Sequence, residues 1–155
     1  MTKPRVDLPS LFMVLSFTAN IIVPLYFRER STVLKEIGIV FLAVGSALFL
    51  YVIFYLRSGF FGETMPTLDH MVTEGPYRFC RHPLYLSFII MVLGIDIMMG
   101  SILGITLTFL LSAPSAIYRA RVEEKLLRKK FGKEWERYSK KVGFLFPRIS
   151  REGLQ

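Results

Sequence analysis

The stretch GPYRFCRHPLYLS, residues 75–87, changes character in its middle. Its first half is basic and aromatic, and after Pro83 it runs into an apolar segment, Leu84 to Met99, whose single charge is Asp96. Proline is tolerated in the first turn of a helix, so Pro83 reads as the start of one and His82 as its N-cap. A polar loop therefore enters a hydrophobic helix here, with a histidine at the mouth.

Three more apolar windows lie outside this helix. Leu8 to Phe27 and Ile37 to Leu56 carry no charge and are each about 20 residues long, the length that crosses a bilayer. Ile102 to Tyr118 is also free of charge; like Leu84 to Met99 it is slightly short and is expected to borrow a turn from its flanks. Hydrophobic residues make up 52% of the 155 residues and mean hydropathy is +0.44, a heavy load for a soluble bundle. The expected fold is all-α: an integral membrane protein with four transmembrane helices, a cytoplasmic loop and short amphipathic C-terminal helices. Lys3 and Arg5 before the first run are also a signal-peptide feature. The run continues to Phe27, however, and Ala19-Asn20 is a poor cleavage site, so it reads as an uncleaved anchor.

The net charge of +8 would point to nucleic acid in a soluble protein. Its distribution points elsewhere. With the N-terminus in the cytoplasm, four crossings place all of the 20 Lys and Arg residues except Arg28, Arg30 and Lys35 on the cytoplasmic side. Both termini and the loop after the second helix are thus expected in the cytoplasm, with the basic tail facing anionic headgroups and no nucleic acid as partner. The one cysteine, Cys80, permits no internal disulfide and reads as a small interfacial residue.

The chain divides into one membrane domain, residues 1–155: an N-terminal hairpin (1–56) turning through Arg28 to Glu36, a cytoplasmic loop (57–83), a second hairpin (84–118) turning at Met98 to Ser101, and a cytoplasmic tail (119–155). Pro24 is a candidate kink. Gly38, Gly45, Ser46 and Ala47 form a small-residue face suited to close helix packing, and such a face also allows a homodimer. Asp96 lies within a turn of the outer end, where it is expected to reach interfacial water. Phe60, Phe61, Tyr77 and Phe79 are expected to fold the loop back onto the headgroup region. In the tail, Gly132 is a stop signal. Lys133 to Lys141 then forms a short helix whose Trp135, Tyr138 and Val142 are expected at the membrane interface, and Gly143 to Pro147 is expected to lie on or dip into the headgroups.

Two clusters flank the second hairpin: Tyr77, Arg78, Arg81, His82 and Tyr85 before it, and Arg119, Arg121, Glu123 and Glu124 after it. A tight antiparallel turn returns both to one membrane face. The pocket between them would have mixed charge and an apolar floor, while the sequence offers no nucleophile and no metal-ligand pattern. The N-terminus of the third helix, with its N–H groups and partial positive charge, suits an anion.

Arg81-His82-Pro83-Leu84-Tyr85 after Gly75-Pro76-Tyr77-Arg78, followed by Glu123-Glu124 and by Phe131-Gly132 with Trp135 and Tyr138, resembles the isoprenylcysteine carboxyl methyltransferase and phospholipid methyltransferase family of integral membrane enzymes. The match covers about the C-terminal half. Ser87 stands where that pattern commonly has glycine, and Trp135 where it commonly has tyrosine. The resemblance implies S-adenosylmethionine as cofactor, with Gly75, Tyr77, Arg81, His82, Pro83, Tyr85, Leu86, Glu123 and Glu124 as binding residues. Arg81, His82 and Glu124 are the candidate catalytic residues, and a lipid or lipid-like hydrophobic amphiphile is the methyl acceptor. His82 and Arg81 suit the cofactor's carboxylate, the glutamates its ammonium or ribose hydroxyls, and Tyr77, Tyr85 and Leu86 its adenine or sulfonium. Two other readings compete. Phe131 to Tyr138 also resembles the end of membrane sterol and steroid reductases, which use a nicotinamide cofactor, and a non-catalytic membrane protein could keep the same scaffold.

Overall fold

A computed structural model describes residues 8–27, 32–61 and 71–148. Helices α1 (Leu8–Tyr26), α2 (Thr32–Phe61) and α3 (Pro83–Met99) are followed by α4 (Ile102–Leu107), a π-helical turn (Thr108–Ser112) and α5 (Ala113–Phe131), which together run as one continuous helix. The short α6 (Lys133–Lys141) ends the helical part. Among the described residues there is no strand, only a single parallel bridge between Cys80 and Gly143.

The pattern of burial is that of a protein in lipid. On α1 the buried residues are Ser16, Asn20 and Pro24, while Leu11, Phe12, Val14, Leu15, Ile21 and Ile22 are exposed. This inside-out stripe is what a bilayer selects, because apolar side chains lose nothing facing acyl chains and polar groups must find partners inside. Three helical stretches, Leu8–Tyr26, Val33–Leu56 and Ile102–Phe131, are long and apolar enough to cross a membrane. The apolar α3 has 17 residues, about 26 Å of helix, slightly short of the roughly 30 Å hydrocarbon core.

Several boundaries follow from local chemistry. Gly100 closes α3 in the left-handed conformation (φ 65°), and Ser101 caps α4 by accepting from the Gly104 N–H at 3.0 Å, so the turn fills only two residues. Gly132 (φ 52°) separates α5 from α6. The π turn sits just before Pro114, which lacks the N–H that would bond Leu110 and whose ring crowds that carbonyl; widening the helix there relieves both. Helix α2 outruns its apolar window: residues 57–61, expected in the loop, are helical, because a charge ends a hydrophobic window without ending a helix. Residues 28–31 and 62–70 of the expected connections lie outside the described residues, and Phe60 and Phe61 are described only as helical backbone.

Helix α3 is the hub. Its Phe88 ring stands 5.9 Å from Phe17 of α1 and 5.4 Å from Phe49 of α2, and its N-terminal end packs on α5. Gly38 and Gly45 of the small-residue face lie against α3, while Ala47 is exposed. A methyl group on Gly45 would lie 2.7 Å from Met91 Cγ, one on Gly38 would collide with the Met98 backbone, and from the other side one on Gly94 would lie 2.6 Å from the Leu42 nitrogen.

Asp96 does not reach interfacial water. It is fully buried with Asn20 and Thr108: Thr108 Oγ1 donates to Asp96 Oδ2 at 2.6 Å, and Asn20 Nδ2 donates to Thr108 Oγ1 and more distantly, at 3.4 Å, to Asp96 Oδ2. The sequence places Asp96 at the right depth but does not show that α1 and α4 close over it. The cluster ties α1 to the second hairpin by hydrogen bonds, which do in lipid what apolar burial does in water.

Replacing Gly94 with Ala should therefore lower the thermal stability of the detergent-solubilised protein by about 1–3 kcal/mol, the range for overpacking. An unchanged unfolding midpoint would show that α2 and α3 are not in backbone contact there.

Candidate functional site

The candidate residues meet where α3 begins and α5 leaves the apolar region. Gly75 takes φ 59° and lies so close to the Tyr55 ring that any side chain would collide with it. This lets a 3-10 turn, Gly75–Arg78, seat buried Pro76 against the end of α2. The chain then runs through Cys80, where burial raises the thiol pKa, to His82, the residue before α3. Pro83 is buried at the first helical position, as the sequence indicates.

Glu124 is the centre of the cluster. Its Oε1 lies 2.8 Å from Arg81 Nε and 3.2 Å from His82 Nε2. Glu123 Oε1 accepts from Tyr85 Oη at 2.7 Å and is 3.5 Å from Arg119 Nη2, while its Oε2 stands 3.9 Å from His82 Nδ1. Arg119 Nε also donates to Ser10 Oγ at 2.7 Å, which brings α1 into the network. Only 5% of His82 is exposed. Burial, with a smaller push from the neighbouring Arg81 charge, lowers its pKa to about 4, so the imidazole is neutral at pH 7.

Beyond Arg81 lies a cavity of about 310 Å³ whose wall includes Leu56, Tyr77, Arg81, Lys130, Trp135 and Tyr138. Trp135 does not face the membrane interface. It is buried, with its ring 5.8 Å from the Arg81 guanidinium and 5.6 Å from the Tyr138 ring, because an aromatic face beside a cation is a better place for it than the rim of the bilayer. Tyr138 Oη donates to the Tyr77 carbonyl at 2.7 Å, and burial raises the phenol pKa of both tyrosines.

The phospholipid methyltransferase family matches residues 33–134, from the start of α2 to the start of α6. The chain belongs to this family. Similar proteins include the nickel-cobalt-cadmium resistance protein NccN of Alcaligenes xylosoxydans xylosoxydans, 33% identical over 112 residues that cover 61% of this chain and 51% of that protein. The cobalt-zinc-cadmium resistance protein CzcN of Cupriavidus metallidurans is 38% identical over 84 residues, covering 52% of this chain and 37% of that protein. The protein-S-isoprenylcysteine O-methyltransferase of Schizosaccharomyces pombe is 37% identical over 82 residues, again 52% of this chain and 35% of that enzyme. The chain thus spans between about a third and a half of the length of these relatives.

Within this family member, Arg81, His82, Tyr85, Glu123 and Glu124 form one contact network and Tyr77 joins it through the cavity. Leu86 packs instead against the apolar cluster of Tyr85, Ala116, Ala120 and Leu145, and Arg121 is exposed. Just before the α3 N-terminus, the Arg81 and His82 N–H groups donate to the Gly143 and Phe144 carbonyls at 2.9 and 3.2 Å. Within the stretch Gly143 to Pro147, Gly143 pairs with the Arg-His segment, Leu145 is buried and Phe146 is exposed. Sequence reading missed Ser139, whose carbonyl accepts from Arg81 Nη1 at 2.7 Å, as well as Leu127 and Lys130 of the cavity. A backbone acceptor leaves no mark in the sequence.

The lowered His82 pKa sets a pH dependence. The folded imidazole resists protonation relative to the unfolded value of about 6.5, so its contribution to stability is complete above that pH and lost as pH falls from 6.5 through about 4. Unfolding midpoints measured across this window should fall more steeply for the wild type than for His82→Gln, by up to about 3 kcal/mol in total. Parallel curves would show that His82 titrates normally.

Proposed function

We propose that this chain is an S-adenosylmethionine-dependent methyltransferase acting on a lipid or lipid-like amphiphile, with its site and both termini on the cytoplasmic side. The observation that supports it most is the convergence of Arg81, His82, Glu123 and Glu124 beside an aromatic cavity at the end of membrane-spanning helices. Membership of the phospholipid methyltransferase family and likeness to an isoprenylcysteine O-methyltransferase favour the same reading.

The residues fit the parts of this cofactor. The cavity of about 310 Å³ has Tyr77, Trp135 and Tyr138 to stack an adenine, and Arg81 and Lys130 to receive a carboxylate. Glu123 and Glu124 can accept from an ammonium or ribose hydroxyls. When bound, S-adenosylmethionine supplies a methyl group on a sulfonium, which transfers by in-line displacement. The protein's work is then alignment and exclusion of water. Tyr85, Phe144 and Leu145 give the site its apolar floor, and neutral His82 can take the proton of an amine or thiol acceptor through Nδ1 while Nε2–H stays on Glu124. The acceptor's chain has a path from the bilayer along a groove of about 350 Å³ between α1 and α5, lined by Leu8, Leu11, Phe12, Leu15 and Tyr118. Arg119, the next residue of α5 after Tyr118, joins Ser10 to Glu123.

Ligand binding to the detergent-purified protein separates this reading from a nicotinamide-dependent reductase. S-adenosylmethionine or its demethylated product should raise the unfolding temperature, and the reduced nicotinamide should not. Glu124→Gln and His82→Ala should each weaken cofactor binding at least about tenfold, roughly 1.4 kcal/mol, with helicity retained. Stabilisation by the nicotinamide alone would overturn the assignment.

A further inference from the structure

The segment after α6 packs against the Arg-His segment. Arg148 Nη1 donates to the Lys140 carbonyl at 2.6 Å, folding residues 143–148 back toward α6, and the fold is so tight at Gly143 that a side chain there would collide with the Phe146 carbonyl. Gly143 and Phe144 present their carbonyls to the Arg81 and His82 N–H groups, and Leu145 inserts between Tyr85, Ala116 and Ala120. The Phe144 ring meets the His82 ring edge-on, centroids 5.0 Å apart at 64°, and also lies 5.7 Å from the Arg81 guanidinium. Phe144 therefore touches His82 through its backbone and both members of the Arg-His pair through its ring.

We propose that Gly143–Leu145 is a strap closing the site and that Phe144 is the positioning residue of His82, holding the imidazole in the plane that keeps Nε2 on Glu124 and turns Nδ1 toward Glu123. This deepens the reading of the site as a methyltransferase centre, and its physical content can be tested without that chemistry. The charged and titratable groups near the imidazole are Arg81 and Tyr85 from its own segment and α3, and Glu123 and Glu124 from α5, with Cys80 hydrogen-bonded to the His82 backbone; the strap adds no titratable group. Two glutamates would by themselves favour the imidazolium. An apolar ring on the remaining side opposes this by keeping water from the imidazole, in line with a pKa of about 4 set mainly by burial.

The chain has two histidines, so His70→Gln leaves His82 as the single imidazole for NMR. In that background, phenylalanine- and histidine-labelled protein should show a cross-peak between the Phe144 and His82 rings, a result that needs no further substitution. Phe144→Ala should raise the His82 titration midpoint by one pH unit or more, and Phe144→Leu should restore most of the difference. The same Ala variant should bind the demethylated product of S-adenosylmethionine at least fivefold more weakly. A ring cross-peak with a raised midpoint supports the strap even if no S-adenosylmethionine binds, which would count against the enzyme reading alone. A missing cross-peak, or an unmoved midpoint in folded Phe144→Ala, overturns it.

Discussion

A single carboxylate oxygen organises the polar half of this molecule. Glu124 Oε1 holds both Arg81 Nε and His82 Nε2, and so joins the end of the second hairpin to the residues that begin it. A partly buried glutamate is tolerable only when paired, and a partly buried arginine likewise. Each therefore depends on the turn at Gly100 returning α5 beside the start of α3. What lies further from the membrane follows from that pair. Arg81, once fixed, offers Nη1 to Ser139 and its guanidinium face to Trp135 and Phe144, and these contacts seat α6 and the strap.

The apolar half is held by a different logic. Lipid removes the advantage of burying leucine, so the helices are joined by close backbone approach at Gly38, Gly45 and Gly94 and by the Asn20–Asp96–Thr108 cluster. Helix α1 shows this most clearly, because its ties to the rest are polar at three heights: Ser10 to Arg119, the Ser16 carbonyl to Ser112, and Asn20 to Thr108. The same arrangement that keeps polar groups away from lipid also carries α1 to the rim of the site.

Much of this was legible in the residues. Pro83 after His82 and Gly132 before Lys133 mark helix ends by backbone chemistry that depends on no distant partner, and the structure has both where the sequence puts them; the turn expected over Met98 to Ser101 narrows to Gly100 and Ser101. The meeting of Arg81 and His82 with Glu123 and Glu124 was legible too, because a two-residue turn leaves an antiparallel pair no other arrangement. Three things were not. Trp135 has the same amphipathic chemistry at a bilayer rim as against a buried arginine, so its sequence position cannot choose between them. Asp96 has a depth in the sequence but no neighbours, and Asn20 lies 76 residues away. The strap is recognised by carbonyl groups that every residue possesses, so Gly143 and Phe144 read only as an apolar segment near a membrane.

The account's central claim is that this junction aligns a soluble methyl donor with an acceptor from the bilayer. Its most direct test is transfer itself: membranes containing the wild-type chain are incubated with S-adenosylmethionine labelled in the methyl group, extracted with organic solvent, and compared with membranes containing an equal amount of folded Glu124→Gln. The account predicts label in the extracted lipid or lipid-like fraction of the wild type and its reduction by at least tenfold in the variant. Equal label in both, or none in the wild type under conditions where the cofactor binds, would contradict it.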